Sequence, residues 1–188
     1  VNSMLNISRI EAGRLKIDPE PTDIIAWLKE EINEVDKVAK QNNLTINFAE
    51  PSFALKDVPL DQGLWQQVIQ NFLSNAIKYS IDSNEKTITV ALTKNQDSFI
   101  ISVKDSGIGI PQADQVKIFQ KFYRAANALH SDTDGTGIGL YVTRMVADLV
   151  GGKIWFESVE NHGSTFYASL PLTGMSKKHG DRKLEIVK

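Results

Sequence analysis

The chain has 188 residues with a formal net charge of −2, 41% apolar and 23% charged residues, and no cysteine. That length holds one domain with a real core, or a domain with appendages, and the near-neutral charge makes no global case for nucleic acid or an anionic membrane. No apolar run nears the roughly 18 residues of a membrane span, no signal peptide opens the chain, and the lack of cysteine excludes disulfides and thiolate metal sites and suits the cytosol.

The sequence starts without Met and inside a helical pattern, so it reads as a piece of a longer protein. In chain order, Val1, Leu5, Ala12 and Leu15 follow a 4-3 rhythm, broken by Ser8, that predicts a helix over residues 1–16. Asp18-Pro19-Glu20-Pro21 ends it, because prolines two apart cannot continue a helix, and residues 18–22 are the linker candidate. Thr22 or Asp23 caps a second helix with Ile24, Leu28, Ile32, Val35 and Ala39 on one face. Leu44–Phe48 alternates as a strand, and residues 53–58 carry a weaker strand signal. A long helix is predicted from Pro59 to Tyr79. Strands follow at Thr87–Thr93 and Ser98–Lys104, whose inward sets Ile88/Val90/Leu92 and Phe99/Ile101/Val103 predict an antiparallel hairpin. Residues 105–110 are Gly-rich, 111–120 helical, and 125–137 polar, small and mobile. A helix over Ile138–Val150 stops at Gly151-Gly152, a hairpin of Lys153–Val159 with Ser164–Leu170 closes at Pro171, and residues 174–188 read as a flexible tail. The pattern is α+β: a two-layer sandwich with about three helices on one face of a mixed, mostly antiparallel sheet.

Three stretches carry chemistry. In the long helix, Leu64, Trp65, Val68, Ile69, Phe72, Leu73, Ala76 and Ile77 form a wide buried face, while Gln67, Asn71, Ser74, Asn75 and Lys78 fall within roughly 100° of arc. Asn is a poor helix former, and a solvated face would carry Glu, Lys and Arg instead. Three carboxamides and one Lys suit a site wall, since an amide oxygen is a hard ligand for Mg²⁺ and Lys a point charge for phosphate. An ordinary amphipathic helix is the plainer alternative. The second stretch is Lys104-Asp-Ser-Gly-Ile-Gly-Ile110. A buried Asp105 needs a donor, which the exocyclic amine of adenine supplies and guanine does not, and Gly107 and Gly109 allow close approach to a flat base. An Asp-Gly turn without a ligand is the alternative there. The third, Asp134-Gly-Thr-Gly-Ile-Gly-Leu140, runs into a helix whose free N–H groups bind phosphate. It matches neither the Walker A loop nor the dinucleotide fingerprint.

Asn71/Asn75, Asp105–Ile110, the block Phe119-x-x-Phe122-Tyr123-Arg124 and Gly135–Leu140 together resemble, in order and spacing, the catalytic ATP-binding domain of bacterial sensor histidine kinases. The likeness covers roughly residues 20–172. It implies the Bergerat fold of the GHKL ATPases, shared with gyrase, mismatch-repair and large heat-shock ATPases; the Phe-x-x-Phe-Tyr-Arg block points to the kinases among them. Ser8–Leu15 is similar to the end of the family's second dimerisation helix, which makes residues 1–17 a coiled-coil stump and 23–173 the catalytic domain. The resemblance implies ATP and Mg²⁺ as cofactors, with Asn75 coordinating the metal and Asn71 nearby. Lys78 and Tyr79 would face the phosphates and the ribose side. Asp105 would hold the adenine amine, with Gly107, Gly109 and Ile110 shaping its wall and Thr165 near the base through water. Residues 111–137 would form a lid anchored by Phe119 and Phe122, Arg124 would meet the γ-phosphate, and Gly135, Thr136, Gly137, Gly139 and Leu140 would close onto the triphosphate. The implied partners are the dimerisation helices that carry the phosphoacceptor His and a response regulator. The implied parent is a homodimer with this unit in the cytoplasm, whether or not the parent is anchored in a membrane.

Gln67 stands where many relatives carry Glu. A carboxamide cannot take a proton, so its implied part, beside Asn75, Lys78 and Arg124 in the catalytic set, is to orient a group or a metal-bound water. His130, His162 and His179 match no acceptor motif and have no third strong ligand. The expectation is a unit that binds Mg-ATP without phosphorylating itself. The alternative is a nucleotide-binding signalling module without kinase activity; Gln67 argues against a hydrolysing ATPase, which would need a Glu base on this helix.

Overall fold

Asp23 sets the start of the first long helix: its Oδ1 accepts the backbone N–H groups of Ile25 and Ala26, both at 3.1 Å, and so satisfies two donors that a helix start leaves orphaned. Helix α1 runs Ile24–Gln41 and buries Ile24, Trp27, Leu28, Ile32 and Ala39. The computed structural model describes residues 8, 10, 12, 14–130 and 135–179. The helix expected over 1–16 and the stump over 1–17 therefore fall largely outside the described residues, as do residues 180–188 of the expected tail.

Asp61 caps α2, Gln62–Ser80, by accepting the Leu64 N–H at 3.1 Å. This helix begins at Gln62 rather than Pro59 because Val58–Leu60 form strand β3, which is also all that remains of the strand signal at 53–58. Strand β1, Glu20–Thr22, pairs antiparallel with β3, Pro21 opposite Pro59. The linker expected over 18–22 is corrected accordingly. A ribbon three residues long asks for few N–H donors, so prolines that break a helix are tolerated in it.

The main sheet contains β2 (Thr45–Ala49), β4 (Thr87–Lys94), β5 (Ser98–Lys104), β6 (Lys153–Ser158) and β7 (Ser164–Pro171), in the order β2-β4-β5-β7-β6. Only β2 and β4 are parallel; the other neighbours are antiparallel. One face is apolar, with Ile88, Val90, Leu92, Phe99, Ile101, Val103, Ala168 and Leu170 almost fully buried. Helices α1 and α2, with α5 (Gly139–Leu149), cover that face, α2 resting on β5, β7 and α5. This is the two-layer α+β architecture that the sequence predicts. Trp65 and Phe72, on the inner side of α2, lose all but a trace of their exposure, each worth roughly 1.5–3 kcal/mol of apolar transfer. That burial fixes the rotation of α2, and so turns its amide stripe toward the open end of the sheet.

Two short helices lie between β5 and α5. Helix α3, Gln112–Gln115, is all of the helix expected over 111–120, and α4, Ala126–His130, occupies part of the stretch expected to be mobile. The flexible tail expected from residue 174 is also corrected. Gly174 turns with φ +72, and the next residue, Met175, is 3% exposed. Its N–H donates to the Pro59 carbonyl at 2.7 Å, Ile17 and Lys178 exchange backbone bonds of 3.0 Å, and Lys178 Nζ donates to the Leu149 carbonyl at 2.6 Å. An apolar side chain among charges thus straps residues 174–178 along the β1–β3 ribbon.

Candidate functional site

At the open end of the sheet, α2, the loop after β5, the segment around α4 and the start of α5 enclose a cavity of about 310 Å³. The α2 wall presents Asn71, Ser74, Asn75, Lys78 and Tyr79. Asn75 Nδ2 donates to Asn71 Oδ1 at 3.2 Å, which orients both amides and leaves the Asn75 oxygen as an acceptor. Asn71 is packed against the start of α5 as well: a Cβ on Gly139 would run into its amide nitrogen. Asn71 therefore packs between two walls, and a side chain at position 139 would have to push its amide aside.

Asp105, 5% exposed, lies at the floor. Its Oδ1 accepts the N–H of Gly107 at 2.9 Å and of Ser164 at 3.3 Å. Burial pushes the carboxyl up from 3.8 to about 6, against the pull of those two bonds. Gly107 lies behind this carboxylate rather than in the cavity, and a side chain there would strike the Tyr79 carbonyl. Gly109, at φ +62 against the Val159 carbonyl, and Ile110, whose N–H donates to Ser158 Oγ at 2.8 Å, line the cavity beside it.

The opposite end is cationic. A Cβ on Gly135 would sit 3.0 Å from Lys78 Nζ and 3.6 Å from Arg124 Nε, so both cations reach the same backbone point. Arg124 is held by a bond from Nη2 to the Ala128 carbonyl at 2.6 Å. Thr136, Gly137, Gly139 and Leu140 continue the lining into α5, whose N-terminus has no side-chain cap. Uncapped N–H groups beside two cations favour an anion. One end of the cavity thus offers a buried acceptor and the other a set of positive charges, with amide oxygens between.

Several expected residues stand elsewhere. Gln67 lies a turn before Asn71, outside the cavity, with Nε2 donating to the Gly63 carbonyl at 3.1 Å. Phe119 packs edge-on against Phe156 beneath the site, 5.8 Å between centroids. Phe122 has φ +65 and is 62% exposed; its tie to the Gly-rich segment is a backbone one, its N–H donating to the Gly137 carbonyl at 2.9 Å. The side-chain anchor expected of Phe122 is corrected on that ground. Thr165 is corrected too: it pairs with the exposed Lys104 in the register of β5 and β7, and its neighbours Ser164 and Phe166 line the cavity instead. Successive side chains on a strand point to opposite faces, so a shift of one residue selects the wrong set. That alternation, apolar at Phe166, Ala168 and Leu170, is the signal that identifies Ser164 and Phe166. Asn127, a cavity residue inside a polar stretch, has no such signal in the sequence.

Residues 60–174, more than half of the chain, match the family model described as histidine kinase-, DNA gyrase B- and HSP90-like ATPase. The sensor histidine kinase WalK of Bacillus subtilis is 33% identical over 171 residues, 91% of this chain and 28% of that protein. The signal transduction histidine-protein kinase BarA of Escherichia coli K12 is 31% identical over 174 residues, 92% of this chain and 19% of its own length. The chain thus spans under a third of these relatives. The catalytic domain of histidine kinase ThkA superposes with a TM-score of 0.67 at 27% identity, covering 80% of this chain and 95% of that one. Full-length ShkA, solved in complex with AMPPNP, shares the fold with a TM-score of 0.76 at 21% identity over 94% of this chain and 36% of its own. The chain belongs to the histidine kinase-, DNA gyrase B- and HSP90-like ATPase family.

Proposed function

We propose that this chain is the ATP-binding catalytic unit of a two-component sensor histidine kinase. It transfers the γ-phosphoryl group of Mg-ATP to a histidine on a dimerisation helix, for onward transfer to a response regulator. One observation carries the reading: Asp105, Asn75, Lys78, Arg124 and the uncapped start of α5 converge on a single cavity. Full-length ShkA, which shares this fold, was solved with AMPPNP, and that is in keeping with nucleotide binding here.

In this mechanism Asp105 accepts the exocyclic amine of adenine, its Oδ1 already fixed by two backbone donors. Lys78 and Arg124 hold the terminal phosphates from two sides, and the N–H groups at the start of α5 hold the rest. Asn75 would hold Mg²⁺ through its amide oxygen. No group of three or more His, Asp or Glu suited to a metal occurs among the described residues, so phosphate and water would complete the shell, as Mg²⁺ prefers. Once bound, the ion supplies charge neutralisation along the phosphates. An imidazole nitrogen of the acceptor attacks the γ-phosphorus, the bond to the bridging oxygen breaks, and ADP leaves. Gln67 lies outside the cavity and, as a carboxamide, would orient a group of the acceptor rather than take its proton. Phosphoryl transfer asks chiefly for positioning and charge, which these side chains provide.

The test supplies a dimerisation-helix pair bearing the acceptor His together with γ-labelled ATP. Acid-labile, base-stable label on the helices is the expected result. Bound ATP with neither transfer nor hydrolysis would favour a signalling module without kinase activity, and hydrolysis without transfer would make the chain an ATPase.

A further inference from the structure

Asn127, on α4, lines the cavity yet belongs to none of the four motifs. Its Nδ2 donates to the carbonyl of Gly109 at 3.0 Å and of Ile108 at 3.3 Å. Two carbonyls on one side fix the amide's orientation, because a flipped amide would set its oxygen against both. Its Oδ1 faces the other way, sealed from solvent and without a hydrogen-bond partner. Such an acceptor is rare in a folded protein, and the two bonds donated by the same amide are what hold it in this orientation.

The held loop is the wall beside Asp105, and its far side is pinned by Asn161 N–H to the Ile108 carbonyl at 2.8 Å and by Ile110 N–H to Ser158 Oγ at 2.8 Å. Helix α4 is fastened in turn to Arg124 and α3. Arg124 Nη2 donates to the Ala128 carbonyl at 2.6 Å. Asp114 accepts Ala126 N–H and Tyr123 O–H, each at 2.7 Å. Asn127 thus bonds the segment that carries the phosphate-side cation to the loop that carries the base-side acceptor.

We propose that Asn127 is a positioning residue, a latch that makes these two walls act as one and so retains the nucleotide between them. The proposal rests on the ATP-site reading above. A latch of this kind acts after encounter, so its loss falls on dissociation rather than association.

Stopped-flow measurement with a fluorescent ATP analogue carrying an N-methylanthraniloyl group tests it in wild type, Asn127→Ala and Asn127→Asp. The Ala variant loses both donated bonds, and the Asp variant places a carboxylate against the two carbonyls. The dissociation rate is expected to rise about tenfold in Ala and further in Asp with an unchanged association rate, while the nucleotide-free melting temperature falls modestly as the donated bonds are lost. Dissociation rates equal to wild type in both variants would overturn the latch. So would a matching fall in the association rate, which marks a residue that merely shapes the empty site. Failure of the wild type itself to bind the analogue would overturn the ATP-site reading and the latch with it.

Discussion

Replacing Asp105 by Asn is predicted to stabilise the nucleotide-free protein while weakening its hold on ATP. The carboxyl titrates at about 6 in the fold against 3.8 when free, because burial disfavours its charge. A raised folded value means the native state binds the proton more tightly. Below the free value both states carry it and nothing is lost; the penalty grows as pH rises from 3.8 through 6 and is then constant. Two pKa units correspond to about 3 kcal/mol, or roughly 5–10 °C in melting temperature for a domain of this size. Asn keeps the acceptor for the Gly107 and Ser164 N–H groups without the charge, so it should recover that stability at pH 7.5 and show little gain near pH 4. Binding moves the other way. An amine donating to an ionised acceptor contributes about 1.5–3 kcal/mol, so ATP affinity should fall about ten- to hundredfold in the variant. In the wild type, affinity should hold above pH 7 and fall about tenfold by pH 5, a dependence that the variant lacks. Calorimetric titration with ATP and thermal melts, each across this pH range, check both halves. A variant no more stable than wild type at pH 7.5, or a wild-type affinity independent of pH, would refute the reasoning.

Gly139→Ala should push the Asn71 amide out of place and weaken ATP binding by titration calorimetry with little change in urea unfolding, because the displaced atoms end a flexible side chain and Ala favours the helix. Thr165→Val should leave ATP affinity unchanged, because that side chain stands on the sheet face away from the cavity; a large loss by titration calorimetry would reinstate it as a site residue. Met175→Ala should lower stability by about 2–5 kcal/mol, since the side chain is 3% exposed, while ATP affinity stays as in wild type.

What the sequence makes legible here is periodicity and local chemistry. The apolar arc of α2 fixes the place of Asn71, Asn75 and Lys78, and the alternation of β4 and β5 predicts the buried set that the sheet shows. Pairings between distant segments are not written locally. The parallel match of β2 with β4 and the β1–β3 ribbon join stretches tens of residues apart, and Pro21 and Pro59 disguise the ribbon because a proline argues for a break at short range. Thr165 and Ser164 differ by one residue in a strand, and composition does not separate them. The backbone of Phe122 turns to positive φ and sends an aromatic ring outward that its residue type would place inside. Asn127 gains its meaning only from two carbonyls brought to it by the fold.

On the proposed function, this one cavity takes Mg-ATP. That is tested most directly by titrating Mg-ATP into the isotopically labelled protein and mapping the amide shifts residue by residue. Saturable shifts concentrated at Asn71–Tyr79, Asp105–Ile110 and Gly135–Leu140 are expected, with Asn75→Ala weakening the Mg²⁺-dependent part. Shifts centred elsewhere, or none at millimolar nucleotide, would contradict it.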